Sequence, residues 1–291
     1  MPSTASASRT RHTLSLAVVG LALLALGCAS STNRSAPTTV AATPSGSTSG
    51  TAGASSGFTP FFLKGGSVSP GHRRPISATD PLGTALRTLI AGTDPVDVAA
   101  GLSNAVAKTV VLGSVTRQGH VAVVDFGRKF ESANTRPQVG QVVYTLTQFP
   151  GIDQVQFMID GQPNGATGVP PWSRGDLADM TPAVLVTDPA PGDQLATSFR
   201  CDGLTQLTVA MTCVVLDAQG HRVATTSAGD PTTTSTTTTV LGVVGGGAPG
   251  SVQFALTIRL TGVVHGPATV VVGPTKPTPG APLASVAVSF P

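Results

Sequence analysis

The hydrophobic periodicity of this chain changes once along its length, and that change fixes what each part can fold into. Before residue 150, apolar residues twice recur at the spacing of a buried helical stripe. The first set is Leu82, Ala85, Leu86, Leu89 and Ile90; the second is Val139, Val142, Val143, Leu146 and Phe149. From Val184 onward the helical period is gone. Seven strand-length runs replace it: Val184 to Thr187, Leu195 to Arg200, Thr208 to Leu216, His221 to Thr226, Val252 to Leu260, Ala268 to Val272 and Leu283 to Phe290. The 34 glycines and 24 prolines punctuate these runs, so short strands and turns dominate. With 291 residues, 40% of them hydrophobic, the chain is long enough for two modest cores.

The N-terminus follows a different logic. Arg9, Arg11 and His12 precede an uncharged, largely apolar run from Leu14 to Leu26. A membrane-spanning helix needs about 20 such residues, so the run is too short to cross and has the layout of a signal peptide, residues 1–27. It closes on Ala25-Leu-Gly-Cys28, which resembles the bacterial lipobox, where cleavage precedes the cysteine and its thiol receives diacylglycerol. The expectation is lipidation at Cys28 and attachment to the extracytoplasmic face of a cell membrane; a conventionally secreted protein with an incidental Cys28 is the alternative. Residues 28–57, from Cys28 through a Ser/Thr/Ala/Gly/Pro tract, form a flexible tether with a reach of about 30 Å. Loss of Arg9 and Arg11 from the 17 basic residues leaves 15 against 14 acidic ones. Such a balance gives no electrostatic footprint for nucleic acid, and none is expected as a partner.

Residues 58–165 read as a small α+β domain. Thr59 to Lys64 is an apolar strand, a second is expected around Arg73 to Ser77, and Asp80-Pro81 caps and opens a helix that Gly92 ends. Thr109 to Thr116 and His120 to Phe126 form a hairpin around Gln118-Gly119. A second helix starts near Thr135 and stops at Pro150-Gly151, and Val155 to Ile159 is the last strand. The order β-β-α-β-β-α-β places helices on one face of a sheet. Three segments then carry a resemblance: Gly119-His-Val-Ala-Val-Val-Asp-Phe126, Val142-Val-Tyr-Thr-Leu-Thr-Gln-Phe-Pro-Gly151 and Val155-Gln-Phe-Met-Ile-Asp-Gly161. In that order and spacing they look like successive motifs of the GerMN domain, a family named for a spore-germination and sporulation protein and common in actinobacterial lipoproteins. The resemblance implies a ring-building or binding module of the cell envelope, without catalytic activity. The motif residues have plain structural readings: Asp125 ends or caps a strand, Tyr144 is a half-buried packing residue, Thr145 and Gln148 lie on solvated helix surface, and Asp160-Gly161 is a turn.

Residues 166–181 are expected as a connector that packs Trp172, the one tryptophan, between the domains. Seven strands in residues 182–291 then describe an all-β immunoglobulin-like sandwich. Asp188-Pro-Ala-Pro-Gly192 and Val214-Val-Leu-Asp-Ala-Gln-Gly220 resemble the immunoglobulin-like domain that often follows GerMN, although its aromatic and acidic motif is missing near Leu207-Thr208. The Thr-rich and Gly-rich stretch 230–250 reads as a loop between strands, with glycosylation as an alternative. With Cys28 lipidated, Cys201 and Cys213 are an even pair in an oxidising compartment, so a structural disulfide is expected. Bridged Cα atoms lie within about 7 Å, which requires the chain to reverse near Asp202-Gly203.

The chain has no Gly-Lys dipeptide, HExxH or CxxC. His72, His120, His221 and His265 are isolated, and Glu131 is the sole glutamate. The expectation is a non-enzymatic, lipid-anchored envelope protein without cofactor or metal, which binds cell-wall glycan (peptidoglycan) or assembles with envelope proteins. An accessory subunit of a membrane sensor or transport complex is one alternative; a wall-modifying hydrolase with a hidden site is the alternative of another class.

Overall fold

The computed structural model describes residues 57–130, 135–163, 170–227, 251–260, 262–276 and 279–291. All of them fall within one compact unit, Ser49–Pro291. Cys28, its leader and tether, Glu131 and the 230–250 stretch lie outside the described residues.

The first module opens with a hairpin, β1 (Phe61–Lys64) and β2 (Ser67–Pro70), which turns on Gly65 and Gly66, both at positive φ. Helix α1 (Pro81–Ala91) begins as its sequence dictates: Asp80 accepts from the Gly83 N–H, Pro81 occupies the first turn, and Gly92 ends the helix at φ +90°. A short helix, α2 (Pro95–Ala99), follows with an Asp94/Asp97 capping box. Strands β3 (Leu112–Gln118) and β4 (Val121–Phe126) pair antiparallel. Helix α3 (Thr135–Leu146) then carries the chain to β5 (Gln154–Ile159), which lies parallel to β4. Two short strands, β6 (Gln162–Pro163) and β7 (Trp172–Ser173), both pair with β5. A 3-10 segment, Arg174–Met180, ends the module.

The expected element order is therefore present, with two displacements. The second strand is β2, not Arg73 to Ser77; that segment makes only the Phe58–Arg74 bridge. The hairpin is also a sheet of its own, apart from the β3-β4-β5-β6 sheet. Helix α3 packs on β5 and on both hairpin strands, and every side chain from Gln138 to Leu146 is buried. The connector supplies Leu177 and Met180 to the first core, and Trp172 packs against that core.

The second module contains the seven strands in two sheets. One sheet orders β12 (Val252–Arg259), β9 (Ser198–Thr205) and β8 (Val184–Asp188); the other orders β11 (Arg222–Ser227), β10 (Met211–Asp217), β13 (Gly266–Pro274) and β14 (Ala284–Phe290). Alternation sorts the side chains as strand geometry requires. Phe254, Leu256 and Ile258 of β12 point inward against Val270 and Val272 of β13, while Gln253 and Ala255 face out. Cys201 on β9 and Cys213 on β10 face each other from opposite sheets, both fully buried. The chain reverses between them at residues 206–210, not at Asp202-Gly203, because β9 continues straight to Thr205.

Candidate functional site

Helix α3 explains how the first module is closed. Its apolar stripe, Val139, Val142, Val143 and Leu146, lies in the core as expected. Gln138, Gln141 and Thr145, continued by Gln148 in the turn just past the helix end, form a second, polar stripe at helical spacing. Three of these side chains grip the backbone that leads into and through β1. Thr145 Oγ1 accepts from the Phe61 N–H at 2.9 Å, Gln141 Nε2 donates to the Phe61 carbonyl at 3.2 Å, and Gln148 Nε2 donates to the Thr59 carbonyl at 2.8 Å. Gln141 Oε1 also accepts from the Ala105 N–H at 2.8 Å. Thr145 and Gln148 are thus structural and not solvated surface: Thr145 is fully buried, and Gln148 is only partly exposed. A two-stranded hairpin leaves the outer edge of each strand unpaired, here that of β1 facing the helix, and a buried unpaired amide costs about 1–3 kcal/mol. The amide and hydroxyl side chains of α3 remove that cost.

Other expected residues take structural places. Asp125 Oδ1 accepts from the Gly161 N–H at 3.0 Å, which ties the end of β4 to the Asp160-Gly161 turn, where Asp160 has φ +48°. Tyr144 is completely buried instead of half-buried; its hydroxyl bonds Thr181, and burial pushes its pKa up. Arg136 lies over the Trp172 ring at 5.7 Å. The four described histidines each take a separate partner: His72 pairs with Asp94 at 2.9 Å, His120 with Asp153 at 3.2 Å, His221 with Asp217 at 3.3 Å, and His265 bonds the Pro291 carbonyl. Among the described residues no group of three or more His, Cys, Asp and Glu is placed to hold a metal, and no helix is long and apolar enough to cross a membrane.

What the fold does bring together is the junction of the two modules. Leu185 of β8 and Leu204 of β9 point out of the sandwich and join the first core. Beside them, the loop after β2 supplies three consecutive polar residues. Arg73 reaches the sandwich, donating to Asp188 and, at 3.0 Å, to Asp193. Burial works against its charge, but the two carboxylates more than compensate and hold its pKa above the ordinary value. Arg74 turns back to α2, where it pairs with Asp94 and, at 2.6 Å, with the fully buried Asp97. Asp94 is partly buried, which alone would raise its pKa; bonds from Arg74, the Asp97 N–H and His72 instead hold it well below the carboxylate range. Asp188 goes the other way, pushed up chiefly by burial. The Asp188-Pro-Ala-Pro-Gly192 segment, singled out in the sequence as a family-like phrase, is the docking loop. Gly192 has φ +78°, and a β-carbon there would come within 2.8 Å of Val96 on α2. Only glycine allows that approach.

Next to this clamp lies a cleft of about 430 Å³. One wall is the first module, with Thr59, Thr147, Gln148 and Arg174; the other is the outer face of the three-stranded sheet, with Thr187, Arg200, Asp202, Gln253 and Ala255. Arg200 and Asp202 neutralise each other at 3.2 Å, and burial raises the Asp202 pKa. Arg174 has no such partner. Its Nε donates to Thr147 Oγ1 at 2.7 Å and one Nη2 hydrogen to the Tyr144 carbonyl at 3.3 Å. Its guanidinium also lies 4.8 Å from the Tyr144 ring centre and 5.8 Å from that of Phe61. Burial pulls its pKa down, and no carboxylate offsets that. Sequence reasoning missed Arg174 because it sits in the expected connector, where a lone arginine reads as solvated.

Residues 61–165 match the family model described as Germane, sporulation and spore germination. Among solved structures, the chain is similar to the tandem GerMN domains of the sporulation protein GerM from Bacillus subtilis. That likeness has 21% identity over 40% of this chain and 44% of that chain, with a TM-score of 0.33. The first GerMN domain of the same protein is similar at 24% identity over 36% of this chain and 81% of that chain, with a TM-score of 0.30. The chain thus spans less than half of the tandem structure. A comparison with curated proteins finds no match. The family match covers the first module as far as Gln162-Pro163, and the sandwich lies outside it.

Proposed function

We propose that this chain is a lipid-anchored, non-enzymatic envelope protein whose Germane domain and immunoglobulin-like sandwich act as one rigid binding body, held to the extracytoplasmic face of a membrane through Cys28. The observation that carries the reading is the junction. Arg73 bridges the modules, Leu185 and Leu204 are shared with the first core, and Gly192 docks on α2. Two modules joined by a mobile linker would sample many orientations; these are fixed, as suits a surface presented to a large, immobile partner. The sandwich reading rests on the three-plus-four division of its strands, which suits an immunoglobulin-type fold. The lipid reading rests on the leader and on Ala25-Leu-Gly-Cys28. The partner is cell-wall glycan or an envelope protein.

The test is co-sedimentation of the full chain, in mild detergent, with purified peptidoglycan across a salt series. Saturable, salt-tolerant sedimentation is expected for the glycan reading; its absence moves the partner to an envelope protein, captured by crosslinking from the anchored form. Turnover of wall fragments would overturn the non-enzymatic reading. Membrane fractionation of wild type beside Cys28→Ala checks the anchor: release of the variant alone is expected, and equal release of both would exclude lipidation.

A further inference from the structure

The cleft between the modules has the features of a small-molecule site. Its volume of about 430 Å³ is within the range that holds a compact ligand. Its polar groups are unequal: Arg200 and Asp202 cancel, whereas Arg174 brings a positive charge with no carboxylate beside it. An arginine carries five N–H donors and stays protonated at all ordinary pH values. Two of those donors are used, by Thr147 and by the Tyr144 carbonyl, so most of the fork is left over. The aromatic rings of Tyr144 and Phe61 steady the cation, although neither removes the cost of holding it away from water. A planar carboxylate matches the free part of the fork in shape and charge. Across the cleft, the Asp202 carboxylate accepts and the Gln253 amide donates or accepts, which suits an amide-bearing molecule.

We propose that the interdomain cleft binds a small carboxylate-bearing ligand of dipeptide size, with its carboxylate on Arg174 and its amide groups toward Asp202 and Gln253. The site is independent of the anchoring reading, since both walls belong to the described unit. It also gives the rigid junction a second purpose, because a cleft built from two modules keeps its shape only if they do not move.

The probe is N-acetyl-alanyl-alanine, titrated calorimetrically into the full chain, beside its C-terminal amide and acetate. The free acid is expected to bind saturably and the amide about tenfold or more weaker, as loss of a charge-assisted pair implies. Acetate binding as tightly as the peptide acid would assign the site to small free acids; tighter peptide binding would assign it to a peptide terminus. Either result upholds the carboxylate site. Arg174→Gln should abolish the difference between acid and amide. Because that change also removes the Thr147 and Tyr144 contacts, Ala255→Phe is the second variant: it fills the cleft from the outer face of β12 and should block the free acid while leaving the fold intact. Equal binding of acid and amide, unchanged binding in both variants, or no binding of the acid at millimolar concentration would each overturn the proposal.

Discussion

The two modules close their cores by opposite means. In the sandwich, inward and outward residues alternate on each strand, and the backbone of every interior strand is paired by its neighbours. In the first module the β1–β2 hairpin stands apart from the main sheet, and the polar stripe of α3 satisfies part of its backbone. One core is closed by apolar side chains, the other partly by amides. Polar residues are thus spare on the sandwich surface and indispensable inside the first module.

The largest break in that comparison is Gln141→Leu. Leucine fits the volume but strands the Ala105 N–H and the Phe61 carbonyl, and removes the 3.0 Å bond to Asn104. At about 1–3 kcal/mol for each buried group left unpaired, the expected loss is about 4 kcal/mol, read as a shift of the urea midpoint. The matching change in the sandwich is Thr225→Val on the exposed face of β11, where the expected change is within about 0.5 kcal/mol. Similar losses in both would show that the polar stripe carries no special weight.

This contrast also explains what the sequence disclosed. Asp80-Pro81, the apolar stripes of α1 and α3 and the seven strand runs are local signals; the helices appear where their patterns place them, and each run holds a strand. Strand β9, however, runs on to Thr205 where the pattern ends at Arg200, and β10 begins at Met211 where the pattern begins at Thr208. The polar face of α3 was misread because Gln and Thr at helical spacing normally mean solvent. What buries them is β1, some 80 residues earlier in the chain. Helix α2 was missed because five residues are too few to show a period, although Asp94-Pro95 with Asp97 is a legible start signal. The junction was illegible for a related reason: Arg73, Asp188 and Asp193 meet only after both modules have formed.

A second, smaller effect concerns the sandwich alone. Both thiols are free in this structure, in contact and fully buried. The Cys213 contact, and then burial, push the Cys201 pKa well up, so the folded Cys201 thiol is a poor nucleophile. Closure is therefore expected during folding, before the sheets meet. A bridge across a loop of roughly a dozen residues contributes about 3 kcal/mol. Refolding in a glutathione redox buffer should yield a chain lighter by two hydrogens, with a higher urea midpoint than the dithiothreitol-refolded form. An unchanged mass would leave Cys201 and Cys213 as an apolar pair. The first module has no described cysteine, so its amide network should be indifferent to the buffer.

The smallest effect separates the two ends of the junction by pH. Asp94, on the first-module side, has its pKa held below the ordinary carboxylate value by Arg74, the Asp97 N–H and His72, against the opposing pull of burial. A carboxylate of depressed pKa contributes stability above its unfolded value, about 3.9, and loses it as pH falls toward the folded one. Asp188, on the sandwich side, is raised by burial despite Arg73. Its contribution has the reverse sign, favourable at low pH and lost as pH rises through the folded value. Moderate acidification should thus relieve Asp188 before it injures Asp94. The thermal midpoint should hold or rise slightly as pH falls from neutral toward 4, and decline below that. Asp94→Asn should flatten the acid decline and Asp188→Asn the shallow rise. A midpoint that falls steadily from neutral pH in wild type, and identically in both variants, would mean that the clamp makes no titratable contribution and that Leu185, Leu204 and Gly192 hold the modules by packing alone.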